Sequence, residues 1–538
     1  MLKEDMEISK GDFFRLFISY SLNVYITISL SIDFYYRIFI FYNAPSWATF
    51  AAFIGFVCGC CLTGFLLDKN VPIRLFWFLW IILSIVTYVS SFLLDAYSKE
   101  VAVIILFFVG IFVGIPWVPS GALVRELTTI EERGRVAGLL NLLGGIICLV
   151  ITVSLIFIDI YQQFQLFATL FLITGILNII FNKNLKTKIT RYEIQVIEEN
   201  KRRNVFLNCL IGFAICFLWG FIALNVNWGA FNAFALQAGH SLFGDGVSLI
   251  GPDLVFFFFS IDFIAVSFIL GLISDKLGRK IIWVIAVTAI IFALFVFASF
   301  QNPFFINFLS ICLGISLPAA LIGMLNFVSD STSLKEIGKY FGIFFGIGWG
   351  GGLALGQLVG SLFLSYPITN FALVAVFIAI IGILSIISIQ ETLPPKKERR
   401  WFDKLDHIYV ISQGGIPLYN FSFKPHVQDP SLIAGGITGF CEFIKELTMS
   451  ESRLKVVKQE RAIVLIDYGE HVTTALIASE ELKILRNKLE FFTQEFEEFF
   501  QDVLKEWVGE VTVFLPTKTL VERIFEVKKF KPILRKSA

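Results

Sequence analysis

Charge is what this chain has least of. Asp, Glu, Lys and Arg supply 16% of its 538 residues, the apolar set supplies 56%, and the net charge is +1. A balance that neutral argues against a nucleic-acid partner, and a soluble globule of this length would rarely be so apolar. Histidine is nearly absent, with four scattered residues, too few for a His-built metal centre. Cysteine is present eight times, and all but Cys441 fall inside apolar runs. The one CxxC spacing, Cys58 to Cys61, has no second pair, so neither a zinc knuckle nor a disulfide framework is indicated. Cys58-Gly-Cys60-Cys61 offers soft-metal ligands, and reads more simply as small residues packing one helix on another. A phosphate-cradling loop is also missing. The densest glycine run, Gly342, Gly346, Gly348, Gly350, Gly351, Gly352, Gly356 and Gly360, follows no strand and carries no G-x-x-x-x-G-K-S string. No Ser/His/Asp, Cys/His or paired-carboxylate constellation stands out. The chain is therefore read as no enzyme, with no cofactor and no metal. A cleavable leader is lacking too. The first fifteen residues mix both charge signs without a small-residue cleavage site, so the first apolar run reads as a retained helix.

What is present is hydrophobic length. Twelve candidate spans occur at about 16–35, 47–67, 75–94, 101–123, 136–158, 162–181, 205–227, 249–273, 281–300, 304–327, 340–364 and 369–389, each long enough to cross a bilayer. With the N-terminus inside, the inward segments of this membrane part hold twenty Lys and Arg, and the outward ones hold only Arg37 and Lys99. That bias places both ends in the cytoplasm. Half of all Lys and Arg fall after residue 392, which divides the chain into a membrane part and a soluble tail.

The organising stretch is Gly271-Leu-Ile-Ser-Asp275-Lys276-Leu-Gly278-Arg279-Lys280, between the eighth and ninth spans. Asp275 and Arg279 stand four apart and can pair across a helical turn, and Gly271 permits close helix approach. The chain repeats itself. Gly64-Phe-Leu-Leu-Asp68-Lys69 partly copies Gly271 to Lys276 at an offset of 207, Glu132-Arg-Gly134 aligns with Glu336-Ile-Gly338 at 204, and Gly114-Ile-Pro aligns with Gly314-Ile-Ser at 200. Two six-helix halves follow, 1–181 and 205–392, joined by the polar segment 182–204.

At these residues the chain resembles the major facilitator superfamily of transporters, whose signature loop reads G-x-x-x-D-(R/K)-x-G-(R/K)-(R/K). Gly271, Asp275, Lys276, Gly278, Arg279 and Lys280 match it. Arg125-Glu126 with Glu132-Arg133-Gly134 resembles the family's loop after helix four, and Gln390-Glu391-Thr392-Leu393-Pro394 its ending after helix twelve. The resemblance covers roughly 10–395. It implies an all-α membrane fold of twelve helices in two parallel pseudo-repeats, with a solute site between them at the midplane. It also implies a latch role for Gly271 to Lys280 and for Gly64 and Asp68. There are departures. Asn70-Val-Pro72 stands where glycine and a cation are expected, helix five has Gly144-Gly145 but no Gly-Pro pair, and the fourth span lacks the family's buried arginine.

Ionisable groups inside spans mark function. Asp262 lies near the middle of 249–273, where lipid disfavours its charged form, which suits proton coupling or cation binding. Asp33 and Arg37 stand four apart at the outer end of the first span, as a gate or an interface ion pair. Asn23 and Asn141 lie deeper, to bond a solute or a neighbouring helix. The outer loop 228–248 carries His240 and Asp245, and Asp253 sits near the outer surface. The solute is expected to be small and organic, since the chain holds 61 Phe, and the membrane is expected to be the plasma membrane.

Past a basic linker, 393–406, the period changes. Short strands around Gln413-Gly414-Gly415 give a hairpin, and Asp429-Pro430 starts a helix. Strands at about 453–459, 461–468 and 471–478 follow, with helices at about 480–507 and 517–527. The order ββαβββαα makes 407–530 a small α+β domain. It resembles longin and roadblock-type domains, which implies self-dimerisation or docking of a small GTPase, in a regulatory role. The competing reading of the whole chain is a transporter-shaped membrane anchor whose tail recruits a protein partner.

Overall fold

The computed structural model describes residues 8–29, 47–69, 71–92, 99–156, 158, 160–182, 198–225, 251–299, 303–332, 336–363, 368–393, 398, 401–424, 429–449, 454–460, 462–507, 509–525 and 527. They form two compact units, a helical one up to Leu393 and a sheet-bearing one beyond it.

The helical unit is apolar around most of each helix, as a segment facing both protein and lipid must be. Phe65, Phe78, Val150, Ile180, Phe295 and Ile387 stand exposed, a surface that only hydrocarbon would cover. Among the described residues seven helices are long and apolar enough to cross a membrane: Phe50–Asp68, Val103–Leu127, Arg133–Leu155, Gln162–Phe181, Arg203–Phe221, Ile311–Ser331 and Ile337–Gly360. Ile73–Val89, Lys280–Phe295 and Val376–Ser388 are shorter apolar helices. The fourth expected span is divided, because Lys99–Gly114 ends before Pro116, which caps Trp117–Leu127. Proline cannot donate the backbone bond that would continue the first helix. Two helices carry wide π-helical turns, Phe17–Leu22 and Phe344–Gly351. The second lies in the glycine-dense run, where nearly every other residue lacks a Cβ to enforce the tighter turn. π turns of this kind are frequent at functional sites.

The second unit is built on a five-stranded antiparallel sheet of order β2-β1-β5-β4-β3. Its strands are β1 (Leu405–Ser412), β2 (Pro417–Ser422), β3 (Val456–Lys458), β4 (Ile463–Tyr468) and β5 (Val472–Ala478). Gly415, at φ +80°, turns the β1–β2 hairpin. One sheet face, with Ile408, Val410, Leu465 and Leu476, packs on Leu485, Leu489, Phe492 and Phe496 of helix Lys483–Phe499. The other face, with Tyr409, Ile411 and Ala475, meets Ala434, Ile433 and Ile437 of helix Pro430–Thr448. Asp429 caps that helix through the Ser431 amide at 2.9 Å. The third strand holds only three residues, and the helix expected over 480–507 breaks at Phe500 into Lys483–Phe499 and Gln501–Lys505. The periodic stripe Phe496, Phe499, Phe500 continues the apolar pattern through the break, so periodicity alone hides it.

Candidate functional site

The Gly251–Leu277 helix ends one residue before Gly278, whose φ of +123° favours glycine. A Cβ there would also meet Glu391 Oε2 at 2.5 Å. The chain turns at once into helix Arg279–Ser299, so Asp275 and Arg279 pair across a break, at 2.5 Å, and not along one helix.

Asp275 faces the start of helix Arg133–Ile156. The Gly134 and Arg135 amides donate to its two oxygens at 2.9 and 2.7 Å, and Arg135 Nε adds a third bond at 3.3 Å. The first amides of a helix have no intrahelical partner and carry the positive end of the macrodipole, so a carboxylate is their natural cap. Gly271 sits one turn back, where a Cβ would meet Gly134 O at 2.4 Å. Arg279 is fully buried. It donates to Asp275, to Ser274 Oγ at 2.9 Å, to Asp330 Oδ2 at 3.1 Å and to Ile130 O at 2.5 Å. Burial opposes its charge, but Asp330 and Asp275 outweigh burial and hold its pKa above the ordinary arginine value. Asp330 also accepts from Arg133, so one buried carboxylate joins arginines from early and late helices. Glu391 caps the new helix by accepting from the Arg279 amide at 2.9 Å and the Lys280 amide at 3.0 Å. Lys280 Nζ closes the Ile387 and Ile389 carbonyls at 3.1 and 3.2 Å. Lys276 points outward and is exposed.

The first copy of the loop does the same with fewer parts. Asp68 accepts from the Gly338 and Lys339 amides, both at 2.8 Å, at the start of helix Ile337–Ile343. A Cβ on Gly64 would meet Gly338 O at 2.4 Å. Each aspartate thus caps a helix from the other set, Asp275 an early one and Asp68 a late one. The position of Arg279 is taken by Pro72, and that of Asp330 by exposed Glu126. Asp330 was missed in the sequence. The repeat offset of 204, which aligns Gly338 with Gly134, would have paired it with Glu126.

Farther into the helices the two sets meet through rings. Tyr25 lies 5.4 Å from Phe263, and Trp117 lies 5.3 Å from Phe345 and 5.8 Å from Trp349. Trp117 Nε1 donates to Thr27 Oγ1 at 3.0 Å. Asn141 accepts from Tyr25 Oη at 2.8 Å, an interhelical bond. Asn23 turns back onto its own helix, donating to Ser19 O at 2.9 Å. Tyr20 Oη, Asn23 Oδ1 and Asn141 Nδ2 are buried with no hydrogen-bond partner among the described residues. Asp262 is half-buried, with its Cβ 2.7 Å from the place a Gly314 side chain would begin. Among the described residues no cation pairs with it. Asp33, Arg37, His240 and Asp245 lie outside the described residues, and no cluster of three metal-ligating side chains occurs within them.

A family model described as Major Facilitator Superfamily matches residues 242–449, a segment that takes in the Gly271–Lys280 motif and Glu391. In shape the chain is similar to a major facilitator superfamily proton:xylose symporter, XylE, bound to 6-bromo-6-deoxy-D-glucose, with 15% identity and a TM-score of 0.49 over 71% of this chain and 96% of that one. It is similar also to the human organic anion transporter MFSD10 (TETRAN), with 10% identity and a TM-score of 0.51 over 71% of this chain and 99% of that one. No curated protein matches the chain in sequence. The matched segment is thus similar to the Major Facilitator Superfamily model, and the helical fold is similar to that of the organic anion transporter.

Proposed function

We propose that the chain is a secondary active transporter of a small organic solute in the plasma membrane. Twelve helices in two halves, 1–181 and 205–392, span the bilayer with both termini in the cytoplasm. Residues 407–530 form a longin- or roadblock-like regulatory domain. The carrying observation is the twice-built latch, in which Asp275 and Asp68 each cap a helix of the opposite half. Formed, it closes the cytoplasmic side, and its release opens that side as the halves rock about a central site. Tyr20, Asn23 and Asn141 are buried polar side chains on the early helices, each with one atom unbonded among the described residues, which supports them as solute-bonding groups. The test is a melting-temperature panel of solutes at two pH values. A solute at a hundredfold its Kd adds about 2.7 kcal/mol, and the reading is abandoned if every solute leaves the melt unmoved and no solute crosses liposomes bearing the protein.

Asp262, without a cation partner among the described residues, is the proton-coupling group of this mechanism. Asp262→Asn is expected to abolish the pH dependence of uptake while facilitated exchange persists. Unchanged pH dependence in that variant removes Asp262 from the mechanism. A second reading, a membrane anchor recruiting a protein partner such as a small GTPase, is favoured by Pro72 in place of the first loop's cation. Coupled solute flux rejects it.

A further inference from the structure

Among the described residues nothing covers the outward face of helix Pro430–Thr448. Leu432 is 74% exposed, Phe440 43%, Phe443 59% and Leu447 68%. Between them lie Gly435, Gly436 and Gly439, where an added Cβ would meet nothing within 4 Å. Glycine weakens a helix, and three on one bare face serve close approach of another backbone. We infer that this face is a self-association surface, and that its occupant is the same helix of a second copy of this chain, packed antiparallel. The pattern is self-complementary, as a two-fold interface requires. Centring the pair between Gly439 and Phe440 puts Leu432 opposite Leu447, Gly436 opposite Phe443 and Gly439 opposite Phe440, and the reverse. Each phenylalanine meets a glycine and the two leucines meet each other, so of the seven residues of this face only Gly435 falls outside the pairs, opposite the half-buried Ile444.

The area fits a second copy held in the same membrane. The four exposed side chains offer about 500 Å² per copy, so a pair buries on the order of 1,000 Å², the lower limit of a specific interface. Two chains confined to one bilayer gain effective concentration, which makes a small interface sufficient. A lipid surface fits less well. Glu442 and Glu446 border the stripe and are exposed, with Lys445 paired to Glu442 at 3.9 Å, so this edge carries no net positive charge to draw anionic headgroups, while bare glycines add no apolar area to insert. The surface deepens the reading of 407–530 as an association module and rests on it, but it is independent of transport.

The test uses the full chain in liposomes. Gly439→Cys, beside the two-fold axis, is expected to give a covalent dimer under mild oxidant well above the level of the parent with its native cysteines. Adding Leu432→Glu or Leu447→Lys cuts the yield at least tenfold. Combining the two restores it to within about twofold, because each glutamate then faces a lysine of the partner. All these positions are exposed, so the domain itself stays folded. Failure of Gly439→Cys to cross-link overturns the proposal. So does a double variant as monomeric as the singles, or a dye at position 443 that reports lipid contact in a monomer. Solute flux in the same liposomes reads the transporter proposal separately.

Discussion

Replacing Asp330 by alanine is expected to cost about 3–5 kcal/mol of stability, the largest single effect in the helical unit. The Asp330 and Arg279 side chains are fully buried and that of Arg133 is 7% exposed. Removing the carboxylate leaves both arginines inside the protein, with Asp275 still beside Arg279 and, among the described residues, only the hydroxyl and carbonyl of Thr128 left to Arg133. Breaking a buried ion pair from one side is the expensive way to lose it, because the stranded charge keeps its desolvation penalty. Glu126 holds the repeat-related position at the surface, so Glu126→Ala should stay within about 0.5 kcal/mol. Thermal or denaturant melts of the two variants in the same detergent check this. Equal, small losses would mean that the arginines find water or other acceptors and that the network adds little.

The second large effect concerns the two latches. Asp275→Asn keeps the shape but removes the charge that caps Gly134 and Arg135 and pairs with Arg279. Hydrogen bonds to charged groups contribute about 1.5–3 kcal/mol each, so transport is expected to fall at least tenfold, with the protein shifted toward its loop-open state. Asp68→Asn removes a cap on two amides and no arginine, and a loss of only about threefold is expected. Gly271→Val is expected to match Asp275→Asn, because its side chain would enter the space of the Gly134 carbonyl, which backbone cannot vacate cheaply. Flux measured side by side for the three variants decides the ranking. An Asp68 variant as impaired as the Asp275 variant would show the latches to be equivalent despite Pro72.

The motif from Gly271 to Lys280 was legible because its contacts depend on spacing within one short loop between two apolar runs. The pairing of Asp275 with Arg279 was legible for the same reason, although a break at Gly278 brings it about and not a helical turn. The target of Asp275 was less so. Gly134 and Arg135 are backbone donors, and any residue but proline supplies an amide, so only the repeat marked the place. Asp330 stands alone near the end of a helix that holds Ser329 and Ser331. No local pattern separates a buried bridging acid from a helix-terminal one. The sheet of the tail followed from its alternation, whereas the break at Phe500 did not, since the ring stripe runs through it. Asn23 and Asn141 illustrate the limit of side-chain chemistry read singly. One bonds its own helix and the other Tyr25, and each still holds one buried atom without a partner.

The most direct test of the latch as a moving part is a distance measured across it. Spin labels at Lys69 and Leu277 sit on exposed positions, one from each set of helices, and neither side chain belongs to the network. In liposomes the pulsed dipolar distance distribution should show a short component that matches the closed latch. Asp275→Asn should move most of the population to a longer one. One unchanging distance in both proteins would contradict the account, leaving a rigid helical scaffold whose loops merely fasten it shut.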